Sequence, residues 1–422
     1  MRSFLFIMAG MLLLVGCAQE EKAADPKQRI YFSHYWSFEG VTGEGMARVV
    51  ARFNEQDGPY DLIGNALDHE AFKIAIVLEL GSGAPVDIYS YWAGMRTASV
   101  ATMLQPIDDI WLQEGLDSQY PAALTDSAVS YDGRKVLLPI TQHLVALFYN
   151  KRLFDRLGLI PPSTWEEFLQ VCQALKDHGV TPLALGARSK WPAQFWFDYL
   201  LLRTAGPRYR QNLLTGRARY TDPEVARSFA LWRELMDKGY FNSDPNSMDW
   251  DTGAGKLLVE GQAAMTLMGS WLTGYFSSDS IRWEAGRDYD IFAFPTVDPG
   301  VATVALGPVD GLVIPRAAKN PAGAKEVLRY FSRQEVQRDI SRFGGNIVPR
   351  AGADESVYTP AQQRVLSLVQ GASSWAFNYD LATKPAEAEL GLTAFAEFLA
   401  FPDLTAEILA KLDSRVRSLP RE

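Results

Sequence analysis

The run from Thr141 to Gly186 constrains what this chain can fold into more than any other. It opens on a short apolar strand, Val145 to Tyr149, and continues through a connector into a helix signalled at both ends. Thr164 is placed to cap that helix, and Glu167, three residues on, to return a bond to the cap's own N–H. Trp165, Phe168, Leu169, Cys172 and Leu175 recur at helical spacing as one apolar stripe. Gly179 then ends the helix in a left-handed conformation, and Pro182 to Gly186 reads as the next strand. A strand–helix–strand unit at mid-chain predicts an α/β protein built on mainly parallel sheets flanked by helices. Two polar residues, Gln142 and His143, stand immediately before its first strand.

The chain begins with a secretion signal over residues 1–16. Arg2 precedes an apolar run from Phe4 to Val15, which is too short to span a bilayer and has the length of a signal core. Leu14-Val15-Gly16-Cys17 matches a lipobox, in which the Cys17 thiol receives a diacylglycerol anchor; residues 17–27 follow as a polar tether. What remains is roughly 400 residues, more than one hydrophobic core fills, so two domains are expected. With 41 basic against 50 acidic residues and no basic cluster, the chain lacks the phosphate-neutralising surface that nucleic-acid binding needs. Past Cys17 only Cys172 remains, on the apolar stripe, where it reads as an inert core thiol.

Aromatic residues cluster where strands end. Arg29 to Ser33 predicts a first strand running into Tyr35 and Trp36, with a helix after it that carries Met46, Val49, Val50 and Phe53 on one face. Asp87 to Ser90 is a second such strand, ending at Trp92. A loop at the carboxyl end of a parallel strand is where α/β folds bind ligands. Trp191 lies beside Pro192 in a predicted loop, and Trp271 follows a glycine stop and a short strand. Trp165, Trp196 and Trp232 fall on helical stripes and are assigned to the core. Packing is the competing reading for each of the loop tryptophans, since most tryptophan in any globular protein is core.

Several of these segments resemble the extracellular solute-binding proteins of ATP-driven sugar importers, the group that includes maltose-binding protein. The resemblance rests on ALFYNKRLF with PPSTWEEFLQ, on GSGAPVDIYSYWAG, on Gly261-Gln262-Ala263-Ala264-Met265 followed by Gly269-Ser270-Trp271, on GLVIPRAAKNPAGAKEVLRYFSRQEVQ, and more weakly on Asn346 to Arg350. It implies a periplasmic-binding-protein-like fold: two α/β lobes with a hinge and a ligand cleft between them. The N-terminal lobe is expected over 28–140 plus 289–310, and the C-terminal lobe over 141–288 plus 311–422, with crossings near 140, 288 and 312. It further implies that Trp271 stacks on sugar, that Gln142 and His143 make polar contacts beside the crossing strand, and that Asp310 pairs with hydroxyls. Trp375 and Tyr379 fall in a late segment that supplies a further aromatic in relatives. The relatives' acidic–arginine pair beside Trp92 is absent here, with only Arg96 nearby, which argues against a maltodextrin ligand. Asp310 precedes Gly311, so a plain turn is its alternative reading.

The expected protein is thus a monomeric, lipid-anchored receptor, held in the periplasm or on the outer face of the cytoplasmic membrane. It would deliver a sugar or oligosaccharide to the permease of an ABC transporter, with no cofactor or metal. The four histidines show no metal-ligand spacing, Asp249 to Gly253 lacks a calcium loop's downstream oxygens, and no nucleophile elbow, phosphate loop or dinucleotide fingerprint is present. A secreted glycosidase, which needs two carboxyls across the cleaved bond, and a surface adhesion or sensory module are the alternative readings.

Overall fold

The computed structural model describes residues 27–36, 41–352 and 355–420; the signal segment, Cys17 and most of the tether lie outside them. Thirteen strands occur among the described residues. In chain order they are β1 (Gln28–His34), β2 (Tyr60–Ala66), β3 (Ile88–Trp92), the hairpin β4 (Ser130–Tyr131) and β5 (Arg134–Lys135), β6 (Leu138–Gln142), β7 (Val145–Asn150), β8 (Thr181–Ala184), β9 (Ala263–Gly269), β10 (Tyr289–Phe292), β11 (Val304–Leu306), β12 (Val309–Val313) and β13 (Ser374–Ala376).

The larger strands form two sheets. The first has the order β2-β1-β3-β12-β6, with β1, β2 and β3 mutually parallel and β12 antiparallel to both of its neighbours. The second has the order β10-β7-β9-β8 and mixes parallel and antiparallel pairs. Every residue of β3, β7 and β9 is buried, the pattern of strands covered by helices on both faces. On one face of the first sheet Ile30, Phe32 and Leu62 pack with Val327, Phe331 and Ile340 from two late helices, Pro321–Phe331 and Gln334–Gly344. On the other face Phe72, Ile76 and Leu80 of the helix His69–Ser82 meet Tyr89 and Tyr91. The second sheet has one large core, which includes Trp165, Trp196, Trp232 and Cys172. Burial raises the Cys172 thiol pKa well above its ordinary value.

The mid-chain unit has the expected local chemistry. The helix runs Trp165–Asp177, the Thr164 hydroxyl accepts from the Glu167 N–H at 3.2 Å, and Glu167 accepts from the Thr164 N–H at 3.1 Å. Gly179 follows with φ +74°.

Strand pairing divides the later chain differently from the expected boundaries. Residues 289–292, expected in the N-terminal lobe, form β10 and pair with β7 in the second sheet. Residues 309–313 form β12 in the first sheet, and the helices at 321–331 and 334–344, expected in the C-terminal lobe, pack in the first core. The physical reason is that GLVIP and the capped helix behind it do form a strand–helix unit, but its strand finds partners in β3 and β6, not in β7. The chain therefore passes between the sheets at 143–144, between β10 and β12, and after Gly344, where the helix Pro360–Gln370 joins the second core.

These crossings lie side by side. Gln142 and Ile347 exchange both backbone bonds, at 3.1 and 3.0 Å, and the His143 N–H donates to Pro308 at 3.1 Å. A Cβ on Gly307 would stand 1.8 Å from the His143 carbonyl oxygen. Only glycine permits this approach.

Candidate functional site

Three parallel strands of the first sheet end at the same edge, and each delivers a ring there. Tyr35 follows β1, His69 follows β2 after a two-residue link, and Trp92 closes β3. Asp68 caps the helix that begins at His69, accepting from the Glu70 and Ala71 N–H groups at 3.0 Å each. Tyr35 stacks on Trp92 with centroids 4.5 Å apart and planes at 14°, and His69 meets the edge of Trp92 at 5.3 Å.

The second lobe supplies the opposing rings. Trp271 stands at the end of β9, and its ring lies directly on the backbone of Gly269, where a Cβ would come within 2.0 Å of it. The glycine of the Gly-Ser-Trp motif is therefore a seat for the indole. Trp191 approaches Trp271 edge-on at 5.9 Å, and Trp191 also meets His69 across the interlobe space at 5.9 Å. His143, on the first crossing, completes the circuit 5.4 Å from Trp271. Rings from both lobes thus run in unbroken contact from Tyr35 through Trp92, His69, Trp191 and Trp271 to His143.

The polar members sit at the hinge. Asp310 lies in β12 opposite Trp92 on one side and Thr141 on the other, at a bulge between Asp310 and Gly311. It is strand, not turn. Such bulges re-aim side chains. Its Oδ2 accepts from the Thr141 hydroxyl at 3.1 Å and lies 4.0 Å from His143 Nε2. Burial pushes its carboxyl pKa up to about 7, offset in part by Thr141 and by Tyr35, whose hydroxyl lies toward it without reaching hydrogen-bond geometry. His143 Nδ1 is hydrogen-bonded to Ser270 Oγ at 2.9 Å, and burial lowers the His143 pKa to about 3, so the ring is neutral.

A second buried set carries the segment that lies under the first lobe. Arg210 donates to Asp198 at 2.7 Å and to the Phe377 carbonyl at 2.8 Å. Asp198 accepts from the Tyr379 N–H at 2.7 Å, and Gln194 from the Asp380 N–H at 2.8 Å. The segment Phe377–Asp380 is pinned, and from it Asp380 reaches Arg96 of the first lobe at 3.4 Å. Six buried polar atoms around this region have no partner among the described residues: Tyr35 Oη, Asp310 Oδ1, Arg96 Nε, Asp380 Oδ1, Asn378 Oδ1 and Trp375 Nε1. Buried polar groups are ordinarily paired, so each of these atoms is left with hydrogen-bonding capacity unused.

The expected residues divide as follows. Tyr35, Trp92, Trp191, Trp271, His143 and Asp310 come together. Gln142 lies on the crossing itself, where its backbone joins Ile347. Trp375 lies against the hinge, 3.0 Å from the Cβ position of Gly307. Trp36 touches the circuit only through Tyr35, with centroids 5.2 Å apart, and is otherwise buried in the first core against Phe32 and His34. Tyr379 is also core, fully buried with its hydroxyl 2.6 Å from that of Tyr220 and its ring among Phe197 and Phe395. Its neighbour Asp380 faces the other lobe instead.

His69, Thr141, Ser270 and Asp380 are the residues that the sequence reading passed over. His69 follows a third parallel strand, but one with a single buried residue, Leu62, and so without the apolar run that marks β1 and β3.

Comparison with known proteins adds to this geometry. The model of the bacterial extracellular solute-binding protein family matches residues 39–338. The chain is 30% identical to a protein of Mesorhizobium japonicum named "probable sugar-binding periplasmic protein", over 70% of each chain. It is 29% identical to an uncharacterized ABC transporter extracellular-binding protein of Pyrococcus horikoshii, over 80% of this chain and 75% of that one. Among solved structures, the bacterial solute receptor AcbH, described as preferring β-D-galactopyranose exclusively, superposes with a TM-score of 0.86 at 26% identity, over 93% of this chain and 99% of the other. A chitin oligosaccharide binding protein shares the fold with a TM-score of 0.80 at 21% identity, over 92% and 98%.

Proposed function

The chain belongs to the family of bacterial extracellular solute-binding proteins, and we propose that this member is the sugar receptor of an ABC importer, holding its ligand between the two lobes. The observation that carries this reading is the circuit of rings from both lobes together with the partnerless polar atoms beside it. A sugar ring offers an apolar C–H face to an indole and hydroxyls to a polar rim, and this is the pairing such a site supplies. Trp271 is the stacking platform. Asp310 and His143 take hydroxyls, and Tyr35, Trp92 and Trp191 close around the ring; Gln142 and Trp375 border it at the hinge. Closure is hinge motion at the three crossings, stabilised by contacts the ligand makes only when both lobes reach it. The closed receptor then docks on its permease as a monomer. This chain catalyses no reaction itself.

The test is thermal unfolding of the purified protein with a panel of mono- and oligosaccharides, the sugars being recovered and chromatographed afterwards. A ligand at ten-thousand-fold excess over Kd adds about 5 kcal/mol of stability, so a true ligand raises the transition visibly and is recovered intact. Shortened sugar would show a glycosidase, and no shift with any sugar would remove the ligand class.

Attachment to the membrane is proposed to run through Cys17, which stands outside the described residues. Cells expressing Cys17→Ser should release the protein from the membrane fraction and lose its labelling by radioactive palmitate. A labelled, membrane-bound Cys17→Ser chain would rule out the anchor.

A further inference from the structure

The two lobes also meet beside the ring circuit, and the most specific of these contacts is ionic. Arg96, in the short helix Met95–Val100 after β3, places its guanidinium 5.6 Å from the centroid of Trp92 and pairs with Asp380 of the second lobe at 3.4 Å. Both side chains are about nine-tenths buried, at 12% and 8% exposure. The backbones behind them touch as well: a Cβ on Gly94 would stand 2.3 Å from the Leu381 carbonyl oxygen, and Phe377 packs on the same glycine. No chain of sugars passes through such a contact.

The lobes are also joined at the hinge crossings. The helix Leu272–Ser277 of the second lobe packs on the first-lobe helices Val41–Asn54 and Gln334–Gly344. His69 and Trp191 bridge the lobes within the ring circuit itself. We propose that the Arg96–Asp380 pair is an end wall of the cleft and a specificity determinant, restricting the ligand to a single sugar ring and excluding oligosaccharides that extend past Trp92. This rests on the reading of the cleft as a sugar site.

An end wall differs from a simple latch in what its removal does. A latch holds the closed state for every ligand alike, so losing it weakens binding of all lengths in proportion. A wall discriminates by length, because the extra residue of a longer ligand collides with it, and removing it changes the ratio of affinities.

The experiment is calorimetric titration of the purified protein, and of its Arg96→Ala and Asp380→Ala variants, with glucose, galactose, xylose and the di- and trisaccharides built from each. The wild-type protein is expected to bind one of the monosaccharides at least 100-fold more tightly than its trisaccharide. In either variant that gap should shrink tenfold or more, through tighter binding of the trisaccharide. Asp380→Ala truncates the same wall from the second lobe and serves should Arg96→Ala fail to fold. Wild-type binding of a trisaccharide as tight as that of its monosaccharide overturns the proposal and leaves the sugar reading standing. So does an equal loss for all lengths in folded variants, the behaviour of a latch. Absence of heat with every saccharide, monosaccharides included, overturns both readings together.

Discussion

Replacing Trp271 with alanine is expected to lower affinity for the protein's sugar by roughly 30- to 1,000-fold, the 2–4 kcal/mol that truncating a central aromatic anchor costs. The indole is half-buried and packs against the second core from outside. Its ring lies on Gly269, with Trp191, Phe195 and His143 at 5.9, 6.3 and 5.4 Å. Four neighbours fix its plane before ligand arrives, so little freedom is left to lose on binding, and preorganised contact is what makes stacking strong. Because Trp271 only packs against the second core from outside, Trp271→Ala should keep its far-ultraviolet spectrum and a cooperative transition. Affinity within threefold of wild type in a folded Trp271→Ala chain would remove this residue from the site.

The second large effect is on pH. Asp310 is buried with one oxygen unpaired, and its carboxyl pKa stands at about 7 in the ligand-free protein. A sugar hydroxyl donating to that oxygen stabilises the charged form, so the pKa falls in the complex and binding releases a proton. Affinity is then highest above pH 7 and falls, by up to tenfold per pH unit, as pH drops below it. His143, 4.0 Å away, does not offset this, because its pKa of about 3 keeps it neutral throughout. Stability of the ligand-free chain runs the other way. The folded pKa of Asp310 is raised above the ordinary 3.8, so its contribution is present at low pH and is lost as pH rises through about 7. Asp310→Asn should therefore bind more weakly, by roughly 10- to 150-fold if a hydrogen bond to a charged group is worth about 1.5–3 kcal/mol, and with little dependence on pH between 5 and 8. Titrations of both chains across that range check the sign; a wild-type affinity that rises on acidification contradicts it.

Local signals carried much of the fold. The capping box at Thr164 and Glu167, the apolar stripe behind it and the glycine at 179 are written in a few adjacent residues, and the helix is where they place it. Tyr35 and Trp92 were found because β1 and β3 are apolar runs that stop at aromatic residues. His69 was not, because its strand YDLIGNA has only Leu62 buried and holds Gly and Asn near its end. It is an edge strand made by pairing with β1, and that pairing is not a local property. The same limit misplaced the lobe boundary: GLVIP has strand composition, but which sheet it joins depends on β3 and β6, more than 160 residues earlier. In the late segment, Trp375 and Tyr379 drew notice for their rings, yet Tyr379 turns into the core and Asp380 beside it faces the other lobe. A helical turn of four residues has no periodicity from which to read its outward side.

The central claim, that this chain captures a sugar between its lobes without transforming it, meets its most direct test in a calorimetric titration of the purified protein at pH 7.5. The prediction is a saturating isotherm at one sugar per chain, with heat returning to baseline after each injection and the sugar recovered unchanged. Continuing heat flow after each injection, with product accumulating, would contradict the account, since it would mean that the cleft turns its sugar over.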